Sequence, residues 1–307
     1  MDKRLENARK EEILCLVCKK SNTKILGVRG NREYSGANPN AEPHLFTNVV
    51  QCRNCEFIYT NPEIKGVEFL EREHYNNPKT YQNENSDNIL EMFEHRIAYL
   101  KNFKADGKLL DVGAGKGDFV FVAQKNGFNA VGVEPSPNFS EFAEKEFQVK
   151  VYQGFLVEQS ELKNQKFDLI TMHHVLEHIE KPEEILSQLP DFLNENGLVY
   201  IEVPNTDSYT VKLIDLYFRL RGKNWSSRLS PLHPPFHKYG YTPKSLRILL
   251  EKSGYKIEKE ETFSIFSRSF YKQNSGNFVL KSVKTLAIKC LDALGNRDML
   301  TFVVSKK

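Results

Sequence analysis

The chain has 307 residues, enough for one large core plus a smaller module, and its 40% hydrophobic and 27% charged residues are ordinary for a globular protein. A formal net charge of +3 argues neither for nor against a nucleic-acid partner. No apolar run approaches the roughly 18 residues of a membrane helix, and the charged stretch at residues 1–12 lacks the apolar segment of a signal peptide. A soluble, cytoplasmic protein is expected.

Four of the five cysteines form two C-x-x-C pairs, Cys15/Cys18 and Cys52/Cys55. Such a pair on a tight knuckle offers two thiolates to one tetrahedral Zn²⁺, and two knuckles complete its shell. With all four positions filled, no place remains for a catalytic water, so the metal is expected to be structural. A thioredoxin-like redox pair would need a βαβ context, which is absent around these cysteines. The stretch Lys24–Val50 between the knuckles reads as a long Gly- and Pro-containing loop in a loose, zinc-ribbon-like module. Phe57-Ile58-Tyr59 follows as a short strand and Glu68–Tyr75 as a helix. His74–Asn88, containing Tyr81, is polar and Asn-rich, a linker or a cover over an active site. Ile89–Phe103 has helical spacing of its apolar residues and leads into the first sheet strand.

Lys108–Glu134 organises the rest. A short apolar run reaches Asp111; Gly113, Ala114, Gly115, Lys116 and Gly117 follow, and a helix begins at Phe119. Strand, tight turn and helix are implied, with glycines that let a ligand lie directly on main chain. Asn126-Gly127 ends the helix, and Ala130–Val133 forms a second buried strand with Glu134 at its tip. An acid there can accept hydrogen bonds from both hydroxyls of an adenosine ribose. The third glycine comes one residue too early for the dinucleotide fingerprint, which disfavours an NAD oxidoreductase.

Pro135 stops that strand. A helix around Phe139–Phe147, a third strand at Val149–Tyr152, then Gly154-Phe155 come next. Phe167–Met172 is the fourth strand, Pro182–Leu193 a helix, and Gly197–Val203 the fifth strand. Strands alternating with helices imply an α/β fold with a parallel, doubly wound sheet that binds ligand at its carboxyl edge. Tyr209–Leu220 reads as a helix covering the substrate entrance, and Ser226–Gly240 as a stiff Pro-containing loop. Thr242-Pro243 starts a helix that stops at Gly254. Tyr255–Phe263 and an antiparallel Leu300–Val304 close the sheet, with an amphipathic helix, Phe278–Leu294, between them; its Cys290 reads as a small buried apolar residue.

The spacing D-x-G-x-G-x-G from Asp111, Glu134-Pro135, the segment His173–Pro182 and Gly197 through Asn205 together resemble class I S-adenosylmethionine (SAM)-dependent methyltransferases, a family that includes ubiquinone-pathway O-methyltransferases and sugar methyltransferases. The resemblance covers roughly residues 109–204, with a weaker tail to 263. It implies a seven-stranded Rossmann-like methyltransferase sheet at 106–307, with a substrate-cover insertion at about 206–240, after a zinc-binding module at 1–75 and a linker, cover and lead-in helix at 76–105. SAM is expected on Asp111, Gly113, Ala114, Gly115, Gly117, Glu134, Pro135, Gly154, Phe155, His173 and Tyr81. In the resembled family a histidine just before the T-P-K-S-L helix start faces the substrate, and His237 occupies that position. His237, or else His174, is therefore the expected base.

His174, Glu177 and His178 leave three readings open: a base or substrate contact, a divalent-metal site mirroring the E-x-x-E-H of some ubiquinone-type enzymes, or caps of the following helix. Paired C-x-x-C knuckles also resemble those of nucleotide-sugar C-methyltransferases, but the extra C-terminal domain of those enzymes does not appear in this sequence. O-methylation of a small polar acceptor, a sugar or nucleotide-sugar, is the expectation. RNA methylation with the zinc module gripping RNA, and a non-catalytic SAM-binding module, are the competing readings.

Overall fold

A computed structural model describes residues 5, 7–30, 45–75, 86–264 and 295–307. The expected helix Phe278–Leu294 with Cys290, and Tyr81, lie outside these residues.

The centre is a seven-stranded sheet. Its strands are β6 (Gly107–Val112), β7 (Phe128–Glu134), β8 (Val151–Gln153), β9 (Phe167–His173), β10 (Leu193–Pro204), β12 (Tyr255–Phe263) and β13 (Met299–Lys306), in the order β12-β13-β10-β9-β6-β7-β8. The five strands from β10 to β8 are parallel, whereas β13 runs antiparallel to both its neighbours, β10 and β12. Strand order reverses between β6 and β9, so a crevice is expected outside their carboxyl ends. Apolar runs such as Leu109-Leu110 and Leu169-Ile170 are fully buried, as strands covered on both faces require.

Helices pack on both faces. α2 (Ser86–Leu100) and α3 (Asp118–Lys125) bury Ile97, Leu100, Phe119 and Val120 against Leu109, Ala130 and Leu169. α4 (Pro137–Phe142) continues into one π-helical turn to Phe147, and α5 (Pro182–Gln188) into a tighter turn to Phe192. α7 (Pro243–Lys252) starts as its sequence demands: the Thr242 hydroxyl accepts the Ser245 N–H at 3.2 Å, with Pro243 at the first helical position. α6 (Tyr209–Leu220) buries only Asp215, which accepts from Ser227 and pairs with Arg228 at 2.8 Å.

The segment Lys24–Val50 departs from the expectation of a loose loop. It contributes β2 (Thr23–Arg29) and most of β3 (Thr47–Cys52), which pair with β4 (Ile58–Thr60) and a distant β11 (Tyr239–Gly240) in a second, four-stranded sheet. A further pair joins β1 (Arg9–Glu11) to β5 (Glu63–Lys65), ahead of α1 (Glu68–Tyr75). Cys15, Cys52, Phe57 and Tyr59 share one buried cluster with Leu246, Leu249 and Tyr255, so this sheet packs directly on α7. Lys252 donates to the Val17 carbonyl at 3.0 Å across the same contact. The consequence for the site is positional: β11 holds residues 237–241 over the carboxyl end of β9.

Candidate active site

The loop after β6 is shaped by three glycines with positive φ: 76° at Gly113, 53° at Gly115 and 81° at Gly117. A Cβ at Gly113 would stand 2.6 Å from Val175, and one at Gly117 2.7 Å from the Cβ of Ala143, so packing alone excludes side chains there. Gly115 is different. Among the described residues, nothing beyond its own chain neighbours lies within 4 Å of where its Cβ would be, which leaves open space above bare main chain.

Glu134 closes this space from the second strand. Its carboxylate accepts the Gly115 N–H at 3.0 Å and the Ser136 N–H at 2.9 Å. Burial raises its pKa, and those two N–H groups oppose the rise. Each oxygen keeps a lone pair for a further donor. Asp111 lies beneath the loop, 2% exposed, and accepts the Thr171 hydroxyl at 2.6 Å. Burial pushes it up to about 7, against the lowering by Thr171. The Gly113 and Ala114 N–H groups both donate to the Val133 carbonyl, which fixes the loop to β7.

Pro135 follows directly on Glu134 and ends β7. Gly154, with φ 117°, donates its N–H to the Glu134 carbonyl at 2.9 Å. Phe155, next to it, leaves 59% of its surface open at the end of β8, a large apolar ring outside the core of the described residues. His173 turns its ring into the fold, so its main chain is what it can offer a ligand. Its side chain is enclosed by Phe119, Phe93 and Tyr200, with the Phe119 ring centroid 4.2 Å away; among the described residues neither ring nitrogen makes a hydrogen bond, Nδ1 lying 3.8 Å from Glu202. Burial takes its pKa down to about 4.

A second group of side chains gathers at the carboxyl ends of β9 and β10. His174, with φ 55°, sits between two buried carboxylates: its Nδ1 is 3.1 Å from Glu177 and its Nε2 3.3 Å from Glu202. Burial would lower its pKa, but these two partners raise it to about 9, so it is an imidazolium at neutral pH. Glu202, on β10, is fully buried; Arg96 from α2 reaches both its oxygens, and the Tyr200 hydroxyl donates to it at 2.7 Å. Despite burial, Arg96 and the histidines hold Glu202 well below the usual carboxylate range.

His237 arrives from the loop before β11. Its Nε2 is 3.7 Å from Glu177, and its ring stands edge-on to His178 at 5.2 Å. Burial takes its pKa down to about 4, partly offset by Glu177, so the imidazole is neutral. His178 Nδ1 lies 3.0 Å from Glu71 of α1, and Lys238 is 3.0 Å from the same carboxylate. His174 and His237, 63 residues apart, thus meet at one carboxylate, Glu177. Arg96, Glu202 and Glu71 escaped the sequence reading. An acid inside the apolar run Leu198–Val203 was a visible signal for Glu202; nothing local marks Arg96 or Glu71.

The four cysteines of the knuckles converge. Their Sγ atoms all lie within 4.8 Å of one another, with Cys15 and Cys55 3.4 Å apart and Cys18 and Cys52 likewise. The hydrogen bond with Cys55 draws the Cys15 thiol down to about 5, while burial raises Cys18. Lys19 and Glu56 turn each knuckle in the left-handed region, at φ 58° and 66°, donating back to the Cys15 and Cys52 carbonyls. Four converging thiols match the donor set of a closed tetrahedral zinc site.

The sheet order with its single antiparallel β13, and a glycine loop facing an acid across β6 and β7, define a class I SAM-dependent methyltransferase. The chain belongs to the methyltransferase-domain family, whose model matches residues 79–260. It is 28% identical over 134 residues to a ubiquinone biosynthesis O-methyltransferase of Glaesserella parasuis serovar 5, an overlap covering 39% of this chain and 56% of that protein. The corresponding enzyme of Actinobacillus pleuropneumoniae serotype 7 is 27% identical over 123 residues, 36% of this chain and 52% of the relative. The chain thus spans about half the length of these curated relatives. Among solved structures, a SAM-dependent methyltransferase from Archaeoglobus fulgidus is similar at 24% identity and TM-score 0.46, over 71% of this chain and 94% of that one. No described helix is long and apolar enough to cross a membrane.

Proposed function

We propose that this protein transfers the methyl group of SAM to a hydroxyl oxygen of a small polar acceptor, a sugar or nucleotide-sugar. The observation that carries the reading is Gly115: a positive φ, open space where a side chain would be, and an N–H that faces Glu134. Asp111 and the loop Gly113–Gly117 hold the amino-acid part and ribose of SAM. Glu134 accepts the ribose hydroxyls, Pro135 ends the strand behind it, and Gly154 with Phe155 borders the adenine. Bound SAM supplies an electrophilic methyl carbon, and transfer is an in-line displacement, so the chain's task is alignment.

At the acceptor end the two histidines have different capacities. His174 is already protonated and engaged on both nitrogens, so it serves as a fixed positive charge. His237 keeps a neutral ring beside Glu177, and it is the group that activates the acceptor hydroxyl. A lining of carboxylates and histidines suits a hydroxyl-rich acceptor. The ubiquinone-type relatives, O-methyltransferases by name, support oxygen as the methylated atom. The four cysteines hold a structural zinc that braces the four-stranded sheet, and with it His237.

Incubation with methyl-labelled SAM and a panel of free sugars and nucleotide-sugars, followed by mass spectrometry, tests the reading. Label is expected on a sugar hydroxyl. Label on RNA instead, or SAM binding with no turnover on any acceptor, would contradict it.

A further inference from the structure

We propose that Arg29 and Ser226 form a phosphate-binding subsite for the acceptor, holding the diphosphate of a nucleotide-sugar beside the loop that carries His237. Arg29 ends β2, and its neighbour Val28 is bridged to Trp225, so the start of that loop lies against the four-stranded sheet. The Val28 N–H donates to the Asn224 carbonyl at 2.8 Å, and the Ser226 N–H to the Val28 carbonyl at 3.1 Å. The guanidinium stacks on the Trp225 ring, 4.4 Å from its centroid. Nη1 donates to the Ser226 carbonyl at 3.2 Å, and Nη2 lies 3.0 Å from His233 Nε2. Ring, carbonyl and imidazole fix the plane of a group whose fork of N–H donors matches phosphate oxygens.

Three observations point to an anion. Among the described residues no carboxylate pairs with Arg29: Asp215, whose charge it feels, already accepts the Ser227 hydroxyl at 2.8 Å and pairs with Arg228 at 2.8 Å. Burial accordingly pushes the Arg29 pKa down to about 10, with Asp215 opposing the fall. Two buried polar atoms at this place, Arg29 Nε and Ser226 Oγ, also lack a hydrogen-bond partner among the described residues. Buried groups of this kind are nearly always satisfied, and phosphate oxygens accept from guanidinium and hydroxyl alike. The surrounding sequence has the matching sign: from residue 216 to residue 250 the chain contains no Asp or Glu, while Arg and Lys recur. One of these, Arg219, reaches the same strand and donates to the Leu26 carbonyl at 3.1 Å.

The same loop ties this place to the acceptor end. Ser230 grips His237 twice, its N–H donating to the His237 carbonyl at 3.0 Å and its hydroxyl accepting the His237 N–H at 3.2 Å. His233, which touches Arg29, and His237 flank one tight turn, closed by the Phe236 N–H on the His233 carbonyl at 2.8 Å. An acceptor anchored by its phosphates at Arg29 thus presents its sugar toward His237. That identity of the ligand rests on the methyl-transfer reading; the binding of the anion does not.

Inorganic pyrophosphate is titrated calorimetrically into the full chain at constant ionic strength. Saturable binding by the wild type is expected, weakened about tenfold to a hundredfold in Arg29→Met and about threefold to tenfold in Ser226→Ala. Ser226→Ala loses only a hydroxyl without a protein partner, so its thermal transition and SAM affinity should match the wild type. Arg247→Met removes an equal charge from α7, where Arg247 pairs with Glu260, and should bind pyrophosphate as the wild type does. No binding by the wild type, equal binding in Arg29→Met, or an equal loss in Arg247→Met would each overturn the site. Uridine diphosphate glucose and glucose 1-phosphate, added as competitors, separate a nucleotide-sugar from a simple sugar phosphate. Displacement by glucose 1-phosphate and not by uridine diphosphate glucose would overturn the diphosphate assignment. Pyrophosphate bound as expected by a chain that transfers no label to any hydroxyl acceptor would instead refute the proposed reaction and leave the anion site standing.

Discussion

Asp111 gives the most direct residue-level test of how the loop meets a cation. Its folded pKa of about 7 lies above the roughly 3.9 of an unfolded aspartate. The stability it contributes is therefore fully present below about pH 4 and is lost as pH rises through about 7. A sulfonium and ammonium nearby favour the ionised form, so SAM affinity should rise between about pH 6 and about pH 8, with proton release. Calorimetry in buffers of different ionisation heat reads this; a flat affinity with no proton release would count against it. At the acceptor end, His237→Ala should slow turnover by about a hundredfold or more with SAM affinity unchanged, whereas parallel losses of both would make His237 a cofactor contact. The glycine loop and Glu134 were legible in sequence because a main-chain requirement leaves glycine as its signature, and an acid at a strand tip stands out. The meeting of His174 and His237 at Glu177 was not legible: it depends on how a distant loop is held, which no local spacing records.

Among the elements, α2 and β10 are joined by a buried ion pair, Arg96 with Glu202. Replacing Arg96 by Met leaves the buried Glu202 charged without its guanidinium partner, and should cost on the order of 3 kcal/mol in urea unfolding. A loss near zero would mean that His174 and Tyr200 suffice to hold the carboxylate. Cys52→Ser with Cys55→Ser should release the zinc proposed for the knuckles and loosen β2, β3 and β4; an unaltered fold without metal would contradict a structural role. The long alternating strands and helices from β6 to β10 could be read from periodicity, because each buries enough apolar surface to leave a pattern. β2 and β3 could not: Thr23–Arg29 carries polar and glycine residues and its pairing shifts between Ile25 and Gly27. β11 is two residues long, and its partner β4 lies some 180 residues earlier in the chain. α6 shows the opposite failure. Its helical spacing was plain, but the apolar face formed by Leu213, Leu216, Tyr217 and Leu220 is exposed among the described residues.

For the whole molecule, the four-stranded sheet, the seven-stranded sheet and α7 share one core, so the four cysteines and the carboxyl edge of the central sheet are mechanically connected. The cysteines would act on catalysis only through the placement of residues 237–241. The central claim is narrower: SAM lies on the bare main chain at Gly115, pinned by Glu134. Its most direct test is calorimetric titration of SAM into the wild-type chain and into Gly115→Leu. The expected result is saturable binding by the wild type and a loss of about a hundredfold or more in the variant, because a side chain there fills the ligand's space. Equal affinity in both proteins, or a wild type that binds a nicotinamide dinucleotide and not SAM, would contradict the account.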